Sequence, residues 1–251
     1  MYRLLLLLAL LVSAVSAQAQ LQSLPHQVHG DLSLGVLQGD FAANVGTYGG
    51  GGSFGYLYQP ASLPVAFGVE AGFVLYGLDS YREALLSTVF VDVETTNSIA
   101  TGHLVLRFTP ATGAIRPYAE GLFGFNYLST QSRVRLDEGD VETGISDTNY
   151  DDAVLSGGGG IGTLFRLTSG YSEDGEPYAL FLDVRARYLW GGLGEYLGAG
   201  DITRDADGDG RIDVDQYGND NGQVDDFEVA RALSSSRTDL FLPQIGLALR
   251  F

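Results

Sequence analysis

The residues best suited to chemistry form one short acidic run near the carboxyl end of the chain. Carboxylates stand at positions 1, 3, 5 and 9 of this run: Asp205, Asp207, Asp209 and Asp213. Gly210 at position 6 permits a sharp turn, and Arg211 at position 7 offers its backbone carbonyl. Ca²⁺ takes about six to eight oxygen ligands from carboxylates and carbonyls arranged in this way. The spacing therefore predicts a calcium site.

This run resembles an EF-hand or dockerin-type calcium loop, with departures. Position 12, where a bidentate acid is expected, is Gln216, and Asp215 is a possible substitute. A second, partial loop follows, with Glu228 at its position 12 but Tyr217 at its position 1. Glu228 is therefore the acidic ligand expected in the partial site. The alternative for the whole run is an acidic, hydrated loop in a salt-adapted organism.

Alternating apolar residues at the end of the chain indicate what positions this loop. The apolar residues are Ile245, Leu247, Leu249 and Phe251, and small or polar residues separate them. A period of two indicates a strand with one apolar face. The segment resembles the last strand of bacterial outer-membrane β-barrels. That resemblance implies recognition of the Phe251 strand by the barrel-insertion machinery.

The first residues of the chain have the pattern of a signal peptide. Arg3 precedes the apolar run 4–12, and small residues follow it. We predict that residues 1–17 are removed, with cleavage after Ala19 as the alternative. The apolar run is too short to cross a bilayer core of about 30 Å as a helix. Residues 18–251 would then form a single β-barrel domain.

The composition of the chain argues against several kinds of binding and catalysis. The formal charge is −17, with 31 acidic against 14 Lys and Arg residues, which argues against binding to nucleic acid. The chain has no Cys, which excludes disulfides and thiolate chemistry, and only three His.

Eight strands are predicted, joined alternately by short turns and by longer, more acidic loops. The predicted strands are 31–38, 48–59, 65–77, 98–109, 116–133, 154–167, 178–190 and 239–251. The last loop, 191–238, contains the calcium motif. Short turns at one end and long loops at the other are typical of outer-membrane barrels, whose long loops are extracellular.

The two faces of the predicted strands differ in chemistry. Phe67, Phe73 and Phe123 belong to an apolar face that would contact lipid. The opposite face is small and charged, and its ionisable members are Glu70, Glu120, Asp183, Arg107, Arg166, Arg185, Arg187 and Arg250. An eight-stranded barrel has an interior just wide enough for side chains. We therefore expect an ion-pair network that plugs the lumen, with a proton or ion path as the alternative. Aromatic residues at strand ends are predicted to form interfacial girdles: Tyr48, Tyr58, Tyr76, Tyr118, Tyr178, Tyr188 and Trp190.

Taken together, the signal peptide, alternating strands, short turns, long loops and terminal Phe resemble the small outer-membrane β-barrel family of the OmpA/OmpX type. The segments 39–42, 95–99 and 116–121 also look like those of family members. The resemblance implies an all-β fold, an eight-stranded antiparallel transmembrane barrel with long extracellular loops. It also implies a Gram-negative outer membrane, with outer-membrane lipid as a partner.

The predicted function is a non-enzymatic barrel with a structural or surface-interaction role through its acidic loops; the sequence identifies no extracellular partner. A narrow channel for small or apolar solutes is the first alternative. A lipid-modifying enzyme is the second; it would need Ser, His and an acid together, and His103 is the one His on a predicted strand. A soluble lipocalin-like barrel would leave the outward Phe residues unexplained.

Overall fold

The computed structural model of the chain is a closed antiparallel β-barrel. It describes residues 24–86, 89–136, 143–197 and 233–251. The strands are β1 (His26–Leu37), β2 (Tyr48–Tyr58), β3 (Val65–Leu86), β4 (Val89–Phe108), β5 (Ile115–Leu136), β6 (Thr143–Tyr171), β7 (Pro177–Gly191), β8 (Leu193–Leu197), β9 (Leu233–Arg237) and β10 (Leu240–Arg250). Eight of them close in the order β1-β10-β7-β6-β5-β4-β3-β2, and β8 and β9 form a separate two-stranded sheet. The eight-stranded fold predicted from the sequence is confirmed. The predicted signal peptide lies outside the described residues.

Several predicted strand bounds were wrong. β1 begins at His26 rather than Asp31, so it includes two more His residues than expected. β3 and β4 pair as far as Leu86↔Val89, and β5 and β6 as far as Leu136↔Thr143, through segments predicted as loops. The sequence signals these extensions only in part. Val91 and Val93 alternate with Asp92 and Glu94 on β4, whereas residues 144–152 of β6 show no such alternation. Backbone pairing does not require an apolar face.

One short helix, α1 (Gly39–Val45), lies between β1 and β2 and was not predicted. Gly39 and Gly46 flank it with φ of 61° and 105°, values that glycine adopts without the steric cost of a Cβ. Phe41 and Val45, one turn apart, are its buried residues. The described residues contain no helix that is long and apolar enough to span a membrane.

The barrel has two unlike ends. At the first, here called the turn end, His26 pairs with Phe251, and short turns join β2 to β3, β4 to β5 and β6 to β7. At the second, the loop end, lie α1, the β8–β9 hairpin and the extended parts of β3 to β6. The three predicted short turns are confirmed. The long loops predicted after β3 and β5 were wrong, because most of their residues belong to paired strands, and the long connection between β7 and β10 remains.

The outward face is apolar, as predicted. Phe67, Phe73 and Phe123 are 50%, 53% and 62% exposed, whereas Glu70 and Glu120 on the same strands are buried inside. Because side chains alternate along a strand, one register assigns every residue of that strand to a face. An exposed aromatic belt of this extent is unfavourable in water and matches a hydrocarbon environment.

Candidate functional site

The centre of the lumen contains an ion-pair network. Glu120 accepts hydrogen bonds from Arg107 Nε at 2.9 Å and Arg187 Nε at 2.5 Å. Arg187 also pairs in a bidentate manner with Glu70, at 2.9 Å from Nη2 to Oε2. Arg185 pairs with Asp31 and lies 3.4 Å from Glu70. The predicted ion-pair network across the lumen is therefore confirmed for Arg107, Arg185 and Arg187.

Two members of the network, His29 and Asp31, were not among the predicted ionisable residues of the lumen. His29 precedes the predicted first strand, and Asp31 is its first residue. His29 Nε2 lies 2.7 Å from Glu70 Oε2 and 4.0 Å from Asp31 Oδ2. His29 and Asp31 lie at inward positions of β1, on the same face of the strand as Gln27 and Ser33. Extending the period of two back from Asp31 would have found His29. The network therefore draws on β1, β3, β4, β5 and β7, across the whole barrel.

Inward glycines make room for these long side chains. A Cβ on Gly160 would lie 2.7 Å from Arg187 Cγ and 3.3 Å from Glu120 Oε1. A Cβ on Gly162 would overlap the Tyr118 ring, and one on Gly55 would lie 2.7 Å from His29 Nε2. The Gly-rich part of β6, which blurs the sequence pattern, thus contributes a wall against which the network packs, and Gly55 of β2 makes room for His29.

An apolar layer closes the lumen toward the loop end. Phe41 of α1 is fully buried and packs edge-on against Tyr76 and Tyr196, with ring centroids 5.4 and 4.8 Å away. Tyr196 of β8 accepts a hydrogen bond from Asn44 Nδ2 at 2.9 Å and bonds Ser236 Oγ of β9 at 2.7 Å. The helix and the hairpin therefore form one lid, here called the loop-end cap.

A second, smaller apolar cluster lies toward the turn end. Its members are Leu24, Tyr118, Leu164, Ala179, Phe181 and Ala248. Tyr118 donates to Asp183 Oδ1 at 2.6 Å, and Arg107 stacks over its ring at 3.9 Å. Tyr76 and Tyr118 were predicted as interfacial girdle residues, and for these two the prediction was wrong. Each lies an even number of residues from an inward Glu on its own strand, so its side chain is on the same face and points into the lumen.

Little space is left between these layers. A cavity beside Ser33, Ser53, Thr101 and Gln244 has a volume of about 10 Å³, close to the room needed by one water molecule. The lumen of the described barrel is therefore packed rather than open.

His103 has a partner that the sequence did not reveal. Its Nε2 lies 2.6 Å from Ser156 Oγ, and both residues are buried in the lumen. Ser156 lies at the start of the Gly-rich part of β6, where the periodic pattern is weakest. A Ser–His contact is one requirement for nucleophilic catalysis, but a substrate must also reach the serine. The adjoining cavity has a volume of only about 10 Å³.

The calcium candidates lie elsewhere. Asp205, Asp207, Asp209, Arg211, Asp213 and Glu228 fall between β8 and β9, outside the described residues. Within the described part of the chain, no group of three or more His, Asp or Glu side chains is arranged to hold a metal ion. The calcium site thus stays a prediction of the sequence.

Comparisons with protein families and with solved structures show what this barrel is similar to. The family model described as "Outer membrane protein beta-barrel domain" matches residues 6–177, more than half of the chain. No protein of curated function matches.

Among solved structures, Neisserial surface protein A is 10% identical, with a TM-score of 0.36 over 90% of this chain and 95% of its own. Ail of Yersinia pestis, solved with the heparin analogue sucrose octasulfate, is 12% identical, with a TM-score of 0.37 over 90% and 99%. A major outer membrane protein of Thermus thermophilus is 13% identical, with a TM-score of 0.38 over 90% and 99%.

Proposed function

This chain belongs to the outer membrane protein β-barrel domain family and lies in the outer membrane of a Gram-negative bacterium, and from that premise we propose that it is a non-enzymatic, plugged barrel that acts through its extracellular surface. In such barrels the short turns face the periplasm and the long connections face outward. The turn end is then periplasmic and the loop end extracellular.

The observation that carries this proposal is the unequal length of the barrel strands. β1, β2, β7 and β10 have 11 to 15 residues, close to the roughly 9–11 that cross a membrane. β3, β4, β5 and β6 have 20 to 29 residues. The surplus forms a four-stranded sheet that projects beyond the loop end on one side of the barrel.

The projecting sheet has open edges among the described residues. β3 pairs with β2 only as far as Gly49↔Tyr76, and β6 pairs with β7 only as far as Ser156↔Gly191. Beyond Tyr76, β3 pairs only with β4 among the described residues. The edge of β6 is partly covered next to the barrel, where Gly192 N donates to the Leu155 carbonyl and Glu195 N donates to Asp152 Oδ2, each at 2.9 Å. Unpaired strand edges bind extended segments of other proteins by adding a strand. An extracellular edge of this kind supports a role in surface interaction.

The acidic loop between β8 and β9 supports the same role. We expect Asp205, Asp207, Asp209, Asp213 and the Arg211 carbonyl to bind Ca²⁺, with Glu228 in the partial site. Extracellular calcium modules work with weak sites, on the order of 10⁻⁴–10⁻³ M. Ca²⁺ would relieve repulsion among these carboxylates.

The packed lumen favours this function over the two alternatives. A solute channel needs a continuous path, and here the path is crossed by the ion-pair network and by the loop-end cap. A hydrolase needs an accessible serine, and Ser156 is only 3% exposed, inside the lumen.

The experiment shortens the projecting sheet without touching the barrel. Replacing residues 80–94 with an asparagine–glycine turn joins Asp79 to Thr95, which are already register partners. We expect cells displaying this variant to lose adhesion to immobilised extracellular-matrix protein while retaining normal amounts of folded barrel. Equal adhesion of variant and wild type, or no adhesion by either above cells without the protein, would reject the surface role.

A further inference from the structure

The turn end of the lumen contains buried cations that lack counter-ions. Arg250 is 1% exposed and Arg116 is 4% exposed, and neither makes an ion pair with any described carboxylate. Arg250 is close enough to Arg116 and Arg107 to be repelled by both, and Arg116 is repelled by Arg166. A buried guanidinium without an opposite charge is strongly unfavourable. Positive charge is therefore concentrated at this end of a protein whose overall charge is −17.

The lumen carboxylates nearest to Arg116 and Arg250 already interact with other side chains. Glu120 is held by Arg107 and Arg187, and Asp183 accepts from Tyr118 and lies 3.8–3.9 Å from two other guanidinium groups. The acids of the β6–β7 turn, Glu173, Asp174 and Glu176, are exposed and form no ion pair with either Arg. Water and salt screen exposed charges of this kind.

The same end also has a surplus of hydrogen-bond donors. Arg250 donates to the Leu24 carbonyl through Nε and Nη2, at 3.1 and 2.6 Å, but its Nη1 has no partner. Three further buried groups able to donate also lack a partner: Arg116 Nη1, Gln27 Nε2 and Thr109 Oγ1. Gln59, directly after β2, connects this region, because its Oε1 accepts from Arg250 Nη2 at 2.8 Å and its Nε2 donates at 2.9 Å to the carbonyl of Thr109, directly after β4. Gln27 is the register partner of Arg250. The unpartnered donors therefore surround one region rather than separate ones.

We propose that this region is an anion site in which Arg116 and Arg250 bind a phosphate-type oxyanion from the periplasmic side. A phosphate group accepts several hydrogen bonds at once and supplies the negative charge that water cannot. Arg116 donates only to the Gly113 carbonyl, at 3.1 Å, in the turn between β4 and β5. Its guanidinium is thus held at the periplasmic rim, where an anion enters. Free phosphate and the phosphate of a periplasmic-leaflet lipid headgroup share this chemistry.

The test is titration of the purified, folded full chain with inorganic phosphate in an uncharged detergent, at constant ionic strength set with chloride. We expect saturable binding by calorimetry and a rise of the unfolding temperature that saturates with it. Arg116→Gln with Arg250→Gln should weaken binding by roughly 10-fold or more, because charge-assisted hydrogen bonds to an oxyanion are stronger than those from a neutral amide. Arg237→Gln is the matched control, since Arg237 is an exposed Arg at the opposite end.

A third variant guards against misfolding of the double variant. Gln27→Ala removes one unpartnered donor without changing the charge and should weaken phosphate binding by a smaller factor. Repeating the titration in phospholipid nanodiscs separates the two sources. An undiminished response there identifies free phosphate, and a lost response identifies lipid headgroups that already occupy the site. No saturable phosphate effect in detergent, or an equal effect in wild type, Gln27→Ala and the double variant, would overturn the proposal.

Discussion

At the scale of residues, the barrel interior is an arrangement of opposite charges that depend on one another. Glu120 contacts two Arg side chains, and Glu70 contacts Arg185, Arg187 and His29. Low polarity around these groups strengthens each pair but makes an unpaired member costly. The network therefore specifies which residues must face inward together, and loss of one member should affect its neighbours.

Glu120→Ala tests that dependence. The substitution leaves Arg107 and Arg187 without their shared carboxylate, and we expect a loss of about 3–5 kcal/mol in the free energy of unfolding. Glu173→Ala, in an exposed turn, should change it by less than about 0.5 kcal/mol. Urea unfolding of both variants in lipid vesicles provides the comparison. Equal losses would show that the network does not stabilise the barrel.

Two neighbouring glycines of β6 make a second prediction, because they face opposite sides of the wall. Gly160→Ala would place a Cβ 2.7 Å from Arg187 Cγ and 2.9 Å from the Ala186 carbonyl, and should cost about 1–3 kcal/mol. Gly159→Ala faces outward, with its nearest contact at 3.4 Å, and should be neutral or slightly stabilising. The midpoint of heat-dependent gel mobility distinguishes them, and the reverse order would contradict the assigned register.

At the scale of elements, the alternation of apolar and polar residues predicts which face of a strand is buried. Features that do not depend on this alternation are not predicted. The faces of β3, β4, β5 and β7 follow from residues such as Phe67 and Glu70, because a slip by one residue would bring charge into lipid. The inward positions of Tyr76, Tyr118 and His29 follow from the same alternation, because each lies an even number of residues from an inward acidic residue on its own strand. The helix α1 depends on tertiary packing, for which local sequence offers little signal. The extended part of β6 depends on backbone pairing, whereas that of β4 has a signal in the alternation of Val91 and Val93 with Asp92 and Glu94.

The loop-end cap is the element whose contribution is easiest to isolate. Phe41→Ala removes a fully buried ring from the contacts with Tyr76 and Tyr196, and such changes cost about 3–5 kcal/mol. Because α1 and the hairpin lie at one end of the barrel, we expect local loosening rather than global unfolding. Hydrogen exchange should speed up in α1 and β8–β9 and stay unchanged in β10. Unchanged exchange in the cap would contradict its role.

The acidic loop between β8 and β9 makes its own prediction. Calorimetry should show saturable Ca²⁺ binding, with a dissociation constant on the order of 10⁻⁴–10⁻³ M, and weaker binding of Mg²⁺. Asp205→Ala with Asp209→Ala should abolish it, whereas Asp174→Ala, in a turn at the other end, should not. Absence of Ca²⁺-specific binding at millimolar concentration would leave a plain acidic loop. Trp190 is a poor reporter for this titration, because its ring lies on the outward face of β7 beside Tyr188.

At the scale of the whole molecule, three layers fill the lumen while four strands continue past it. The loop-end cap, the ion-pair network and the turn-end cluster follow one another along the barrel axis. The outward belt holds this packed cylinder in the membrane, and the projecting sheet and the acidic loop extend from its extracellular end. Activity is therefore expected on the outer surface, with the barrel as its anchor.

Conductance across a planar lipid bilayer tests this account most directly. The purified full chain, inserted at single-molecule density, should give no steady conductance above the bare membrane at any salt concentration. Glu120→Ala should give at most brief openings, because the loop-end cap still closes the lumen. A stable, ohmic conductance in the wild-type protein would contradict the plugged lumen and favour a channel.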